Sequence, residues 1–252
     1  MSAGQHRPLF IARASPIHAL APECKIVATA LFVFAVVATP REAFWAFGVY
    51  AAILAVVVTV AQLPFEALAR RLVIEVPFLA FAVLMPIVGG SPHTDVLGIS
   101  LSVPGLWGAW NILVKGTLGV AATGILVATT EVRDLLSALD RLHVPRAFIA
   151  IASFMIRYSE VIAGELRAMH TARISRGHDP RWIWQARAVA ATAGTLFIRS
   201  YERGERVYLA MASRGYGTAV PAPRTRAPAS NWFTALSIPA LAAMVAIVAV
   251  AS

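Results

Sequence analysis

The residues best suited to chemistry in this chain are arginines set beside glycines. Ala172-Arg173-Ile174-Ser175-Arg176-Gly177 and Ala210-Met211-Ala212-Ser213-Arg214-Gly215 agree at four of six positions, and both close on Ser-Arg-Gly. A guanidinium at a helix tip presents a planar fork of donors. It can make bidentate, charge-assisted contacts with carboxylates or backbone carbonyls of a docked protein. A simpler reading competes, since glycine is common just past a helix end and arginine in the last turn suits the helix dipole. Two copies with the same preceding Ala-x-x-Ser weigh against caps alone. Ser175, Arg176, Gly177, Ser213, Arg214 and Gly215 are therefore the candidate docking residues. Near the second copy, Arg199, Arg203 and Arg206 form an i, i+4, i+7 stripe, with Tyr208 and Met211 close by. That stripe suits a partly apolar docking face. It suits a solvated face as well, because Glu202 and Arg206 can pair at i, i+4 and Tyr208 and Met211 can pack on a neighbouring helix.

Other chemistries find little support. A phosphate-binding P-loop needs Gly-Lys-Ser/Thr, and the two lysines, Lys25 and Lys115, follow Cys24 and Val114. No catalytic constellation is visible, neither paired aspartates nor His-x-x-x-His in an apolar run. His93 and Asp95 stand at i, i+2, too few ligands for a metal site, so no metal ligand is assigned. The single cysteine, Cys24, excludes an internal disulfide framework.

The elements that must position the arginines follow from composition. Hydrophobic residues make up 58% and charged residues 14%, with a mean hydropathy of +0.70, against about 25% charged in soluble domains. The expected fold is an all-α integral membrane protein with about five transmembrane helices and a cytoplasmic helical coupling region. Apolar runs fall near 26–39, 44–61, 72–90, 105–129 and 232–250, and a span needs about 20 apolar residues. The first run is short and is separated from the second by Thr39-Pro40-Arg41-Glu42. Basic residues sit between the runs, which accounts for the net charge of +9 without nucleic acid. Loop 91–104 has no Lys or Arg, whereas 131–228 holds fifteen basic and eight acidic residues. The positive-inside rule then places the N-terminus and 131–228 in the cytoplasm and Ser252 outside, in a multi-pass cell (inner) membrane protein. Three segments result: a four-span region 1–130, coupling helices 131–228, and a last span 229–252. No signal-peptide core precedes the first run.

Within the coupling segment, Thr130 is placed to cap a helix starting at Glu131, with Val132, Leu135, Leu136, Leu139 and Leu142 on one face and Pro145 ending it. Helical patterns follow over 146–176, 182–200 and 202–214, then a proline-marked linker. Ala188 to Ile198 is apolar but only ~16 Å long as a helix, too short to cross. Two ionisable residues lie inside expected spans. Glu75 is close enough to the cytoplasmic end to snorkel, and Lys115 is expected to meet carbonyls near Pro77 or Pro86, or another subunit.

Two longer stretches and the paired Ser-Arg-Gly sites carry a family resemblance. Ser200 to Tyr216, reading SYERGERVYLAMASRGY, resembles the signature of the CbiQ/EcfT family, the transmembrane T components of energy-coupling factor (ECF) ABC importers. Ser15-Pro16-Ile17-His18-Ala19-Leu20-Ala21-Pro22-Glu23-Cys24-Lys25 is similar to the family's Ser-Pro-Leu-His-x-Leu-x-Pro-x-x-Lys start. The two Ser-Arg-Gly sites match its paired Ala-Arg-Gly motifs, with serine for alanine. Glu202, Arg203 and the Tyr-x-Ala-Met run lean toward the cobalt/nickel-type branch. The resemblance implies a non-catalytic coupling subunit with no cofactor of its own, since ATP is bound by partners. Those partners would be a P-loop ATPase dimer, with Arg176 and Arg214 in its grooves, and a small membrane substrate-capture subunit within the lipid. From residues alone, a stand-alone channel or secondary carrier and a membrane-embedded enzyme are the competing classes. A carrier is expected to show inverted repeats, which the sequence lacks.

The topology is tested by cysteine labelling from outside the cell in a Cys24→Ser background. Thr94→Cys should react with an impermeant thiol reagent and Pro180→Cys should not. The reverse pattern would overturn the orientation.

Overall fold

The computed structural model describes residues 11, 13, 15–64, 66, 69, 73–88, 90, 93–96, 99–177, 186–216 and 227–251. The chain forms two compact units, Met1–His143 with Arg226–Ser252, and Val144–Thr225. The described residues are almost entirely helical, as the apolar runs require.

The first unit holds α1 (Pro16–Ala19), α2 (Pro22–Ala38), α3 (Phe44–Val60), α4 (Val76–Val88), α5 (Val103–Thr129), α6 (Val132–Arg141) and α9 (Ala229–Ala251). A 3-10 turn, Val73–Glu75, leads into α4. The loop before α5 adds a feature that the apolar runs did not announce, an antiparallel hairpin of β1 (His93–Val96) and β2 (Ile99–Ser102), with His93 opposite Ser102. Ser102 ends it by accepting from the Gly105 N–H at 3.2 Å, capping α5, while donating to the Gly90 carbonyl.

Helices α2, α3, α5 and α9 share one apolar core, including Phe32, Val36, Phe47, Tyr50, Leu54, Leu118, Ile125 and Ala242. On α9 the buried residues Ala235, Pro239, Ala242, Ala246 and Ala249 recur at three- and four-residue spacing. Such a stripe of small residues lets helix backbones approach closely where lipid provides no hydrophobic drive. By length and composition, α5, α9 and α7 (Arg146–Ser175, in the second unit) could each cross a membrane. Phe44–Val60 and Val76–Ile87 are shorter apolar helices.

The short first run has a structural consequence. With 17 residues, α2 extends only ~26 Å, so its open C-terminal carbonyls lie alongside the interior of the 27-residue α5. Lys115 on α5 meets them, its Nζ donating to Val37 O and Thr39 O at 2.8 Å each. Carbonyls do receive this ammonium, but at the end of α2 and not at the Pro77 or Pro86 kinks. A helix end concentrates four orphan carbonyls and the negative pole of the dipole, a stronger demand than a single kink. Glu75 does not snorkel: it is buried and accepts from Thr117 Oγ1 at 2.9 Å. Gly116 makes room, since a Cβ there would lie 2.8 Å from Glu75 Oε1. Nearby, Tyr50 Oη bonds Thr39 Oγ1 at 2.8 Å and reaches the Ala242 carbonyl at 3.3 Å, joining α2, α3 and α9.

The cap expected at Thr130 is displaced. Thr130 is the extended residue ending α5, and its buried Oγ1 has no hydrogen-bond partner among the described residues. Glu131 takes the N-cap position without a side-chain cap, so α6 starts at Val132. On α6 the buried residue is Ala138, while Leu135, Leu136, Leu139 and Leu142 of the expected face are half-buried and Val132 is exposed.

The second unit holds α7 and α8 (Ala186–Ala212). Helix α8 is continuous where two helices were expected, and within it Ser200 turns its hydroxyl back to the Leu196 carbonyl at 2.7 Å, the usual way a mid-helix serine satisfies its side chain. The apolar run 188–198 is therefore one part of a 27-residue helix.

Packing of α4 on α5 rests on Gly105. A Cβ there would come within 2.8 Å of the Met85 carbonyl carbon and Pro86 Cα, both backbone, whereas Gly119 on the same helix has open space. Gly105→Ala should therefore lower stability by about 1–3 kcal/mol through overpacking. Gly119→Ala should be neutral or raise it by up to about 1 kcal/mol. Thermal unfolding of both variants in one detergent checks the contrast.

Candidate coupling surface

The two Ser-Arg-Gly sites share one backbone construction. In the first, Ser175 Oγ donates to Ala172 O at 3.1 Å, Arg176 N to Arg173 O at 3.2 Å, and Gly177 N to Ile174 O at 2.9 Å. In the second, Ser213 Oγ donates to Ala210 O, Arg214 N to Met211 O and Gly215 N to Ala212 O, each at 3.0 Å. Both glycines have φ of +78°, the left-handed conformation that ends helices. At the second site the Tyr216 N–H also reaches Met211 O at 3.0 Å, completing a Schellman closure. Glycine is thus a helix terminator in each copy. The guanidiniums do something else: Arg176 and Arg214 are exposed, and neither makes a side-chain hydrogen bond or ion pair among the described residues.

Helices α7 and α8 lie antiparallel. Leu166, His170 and Arg173 face Leu196, Thr192 and Val189 at one end, and Phe154 and Tyr158 face Val207 and Met211 at the other. Ser-Arg-Gly closes the C-terminal end of each helix, so the antiparallel order sends the two motifs to opposite ends of the pair. With 27 residues in α8, that separates them by ~40 Å. Sequence reading could find the repeat but not this separation, which depends on the pairing of the helices.

The arginine stripe divides by role. Arg203 turns inward and pairs with Glu165 on α7, both partly shielded from water. Arg206 lies 4.0 Å from Glu202, both well exposed, the i, i+4 pair expected from spacing. Arg199 is exposed beside Arg173 and Arg176. Tyr208 and Met211 line a groove of about 380 Å3 with Phe154, Tyr158, Ile162, Arg203 and Val207. Tyr208 keeps 62% of its surface exposed, so the groove is open along one side. No group of three or more His, Cys, Asp or Glu side chains able to hold a metal occurs among the described residues.

A second cluster falls in the Ser15–Lys25 stretch that carried the family resemblance, though nothing in the sequence signalled its contacts. At the start of α2, Glu23 is 3% exposed and takes two bonds from Arg141 Nη1, at 2.9 and 3.2 Å, and one from the Ala227 N–H at 3.1 Å. Lys25, one turn-half further on, donates to His18 O at 3.1 Å and Thr129 O at 3.0 Å. Ser15 and His18 complete the group, with Ser15 Oγ 2.7 Å from His18 Nδ1 and His18 Nε2 3.0 Å from Ile11 O. The Ser-Pro-x-His and Lys25 positions therefore hold the N-terminal segment against the end of α5. A lone glutamate in a helix first turn reads as a dipole partner, and nothing local announces contacts more than a hundred residues away.

A family described as cobalt transport protein, CbiQ, matches residues 13–225. The chain is 31% identical to cobalt transport protein CbiQ of Rhodobacter capsulatus, over 76% of this chain and 81% of that protein. It is 28% identical to the energy-coupling factor transporter transmembrane protein EcfT of Thermanaerovibrio acidaminovorans, over 86% and 85% of the two chains. A protein of Methanocorpusculum labreanum named as a fused cobalt transport protein, CbiMQ, is 31% identical over 53% of this chain, which spans only 22% of that longer relative. With a match running through the N-terminal cluster and both Ser-Arg-Gly helix ends, the chain belongs to the CbiQ/EcfT family of membrane transport proteins.

Proposed function

We propose that this chain is the transmembrane coupling subunit of an energy-coupling factor ABC importer for transition metal ions, with cobalt ahead of nickel. It links a cytoplasmic P-loop ATPase dimer, which binds ATP, to a small membrane subunit that captures the ion. The names of the relatives in Rhodobacter capsulatus and Thermanaerovibrio acidaminovorans support the class of machine and the metal. The observation that carries the mechanical part is the duplicated helix end, with an exposed guanidinium that pairs with no other group among the described residues, ~40 Å from its twin. One binding groove repeated on two ATPase subunits asks for two identical contacts at such a distance. Glycine termination holds the backbone at each tip, and serine ties its hydroxyl to its own helix, so the arginine alone projects.

This reading keeps α7 on the cytoplasmic side with the rest of 131–228. Length and composition would let α7 cross. Arg157 and Glu160 fall near its middle, however, and an ionisable residue at the centre of a bilayer costs about 2.5–3.5 kcal/mol on insertion scales. Motion of the ATPases on binding ATP would move the α7–α8 pair from both ends, and the membrane helices would pass that motion to the capture subunit. The chain itself contributes binding and leverage, while the partners supply hydrolysis and ion recognition.

Replacing both Arg176 and Arg214 by alanine should abolish ATP-driven metal uptake and leave the membrane helices folded. Truncating a buried, hydrogen-bonded charge at an interface commonly costs about 2–5 kcal/mol, a loss of tens- to thousands-fold in affinity. Each single variant should be milder, because two tips share the attachment. The measurement is co-purification of the ATPase together with cellular metal uptake at equal expression. Normal capture and uptake by the double variant would reduce both arginines to helix-end residues and remove the basis of the coupling reading.

A further inference from the structure

The two units are joined by two chain crossings, between His143 and Val144 and between Thr225 and Arg226. Glu23 bonds a residue beside each of them. Arg141 lies just before the first crossing and Ala227 just after the second, and both donate to the same buried carboxylate. These contacts lie wholly within the first unit. The Glu23 carboxylate is well satisfied: Arg141 engages both oxygens, and Oε1 also receives the Ala227 N–H. Only 3% of Glu23 is exposed, so these bonds act largely out of water, where charge-assisted bonds are strongest. On the same turn of α2, Lys25 holds the Thr129 carbonyl at the end of α5.

We propose that Glu23 is a positioning residue that pins both chain crossings to the start of α2, so that displacement of 144–225 reaches the membrane helices as one motion. This rests on the coupling function proposed above. A single covalent crossing can rotate about its own backbone torsions, and force applied beyond it is lost in that rotation. Two crossings held at one point cannot rotate independently, and a push on either bears on α2. Through the packing of α2 against α5 and α9, the push then enters the core of the first unit. His143, at φ of +66°, places the turn at the first crossing immediately beyond the Arg141 anchor.

The test compares wild type, Glu23→Gln and Glu23→Ala. The glutamine keeps the shape and an acceptor for Ala227 while removing the charge that holds Arg141, and the alanine removes both arms. In the full chain in detergent, amide exchange over 132–141 and 229–235 should rise about tenfold in Glu23→Gln and more in Glu23→Ala. In complex with the ATPase, both variants should co-purify and hydrolyse ATP as wild type does, while metal uptake per ATP falls about tenfold. Should Glu23→Ala fail to fold, Glu23→Gln carries the test. Unchanged exchange would overturn the pin, and so would normal uptake per ATP despite faster exchange. Loss of ATPase capture in Glu23→Gln would make Glu23 an assembly residue instead. A wild-type chain that captures no ATPase would remove the coupling function and this use of the pin together, while exchange would still decide whether the contact holds the crossings.

Discussion

A bilayer offers no partner to a backbone carbonyl, so every helix end left inside it must be met by the protein itself. This constraint shapes the first unit. Helix α2 ends alongside the middle of α5, and Lys115 from α5 reaches the Val37 and Thr39 carbonyls there. The ammonium and the helix end answer each other's needs: the cation gains the negative pole of a dipole, and the orphan carbonyls gain donors. Their bond sets the register of α2 against α5. Thr39, in the turn just after α2, then presents its hydroxyl to Tyr50, whose ring packs edge-on to Phe32 with centroids 5.8 Å apart. From Tyr50 the polar chain runs on to α9. An arrangement that reads as an expensive charge in an apolar run thus anchors three of its neighbours.

The second unit is built on opposite terms. No residue of α7 is buried, and large apolar side chains such as Phe148, Met155, Phe197 and Leu209 each keep more than 60% of their surface exposed. Soluble monomers rarely leave so much apolar surface open, and such faces ordinarily meet lipid or another protein. The pair is held by a thin apolar seam with the Arg203–Glu165 ion pair within it. A slender pair of helices is poorly suited to enclosing a ligand. Its length does suit presenting two points far apart, and the two arginines occupy those points.

Much of this was legible from local pattern. Apolar runs marked helices, and those at 105–129 and 232–250 became helices long and apolar enough to cross. Period and punctuation marked α6, the end of α7 and the end of α8. The glycines after Arg176 and Arg214 were readable because a left-handed residue at a helix end nearly demands one. The break expected near Ser200 did not occur, since a serine can satisfy its hydroxyl on the preceding turn without interrupting the ladder. The hairpin before α5 was not foreseen, because its strands are only four residues each, too short for an alternation to stand out.

The sequence by itself determined that the chain is a helical membrane protein, that arginines end two of its helices alike, and that it belongs with a transport family. Those properties depend on residue type and on spacings within a few turns, where geometry is set by the helix. Only the tertiary structure decided what the isolated charges do. Lys115 with Val37 and Thr39, Glu75 with Thr117, Glu23 with Arg141 and Ala227, and Arg203 with Glu165 all join residues from 38 to 204 positions apart. No local rule selects such partners. They are chosen by which helices pack side by side, and by the cost of leaving any one of those groups unpaired away from water.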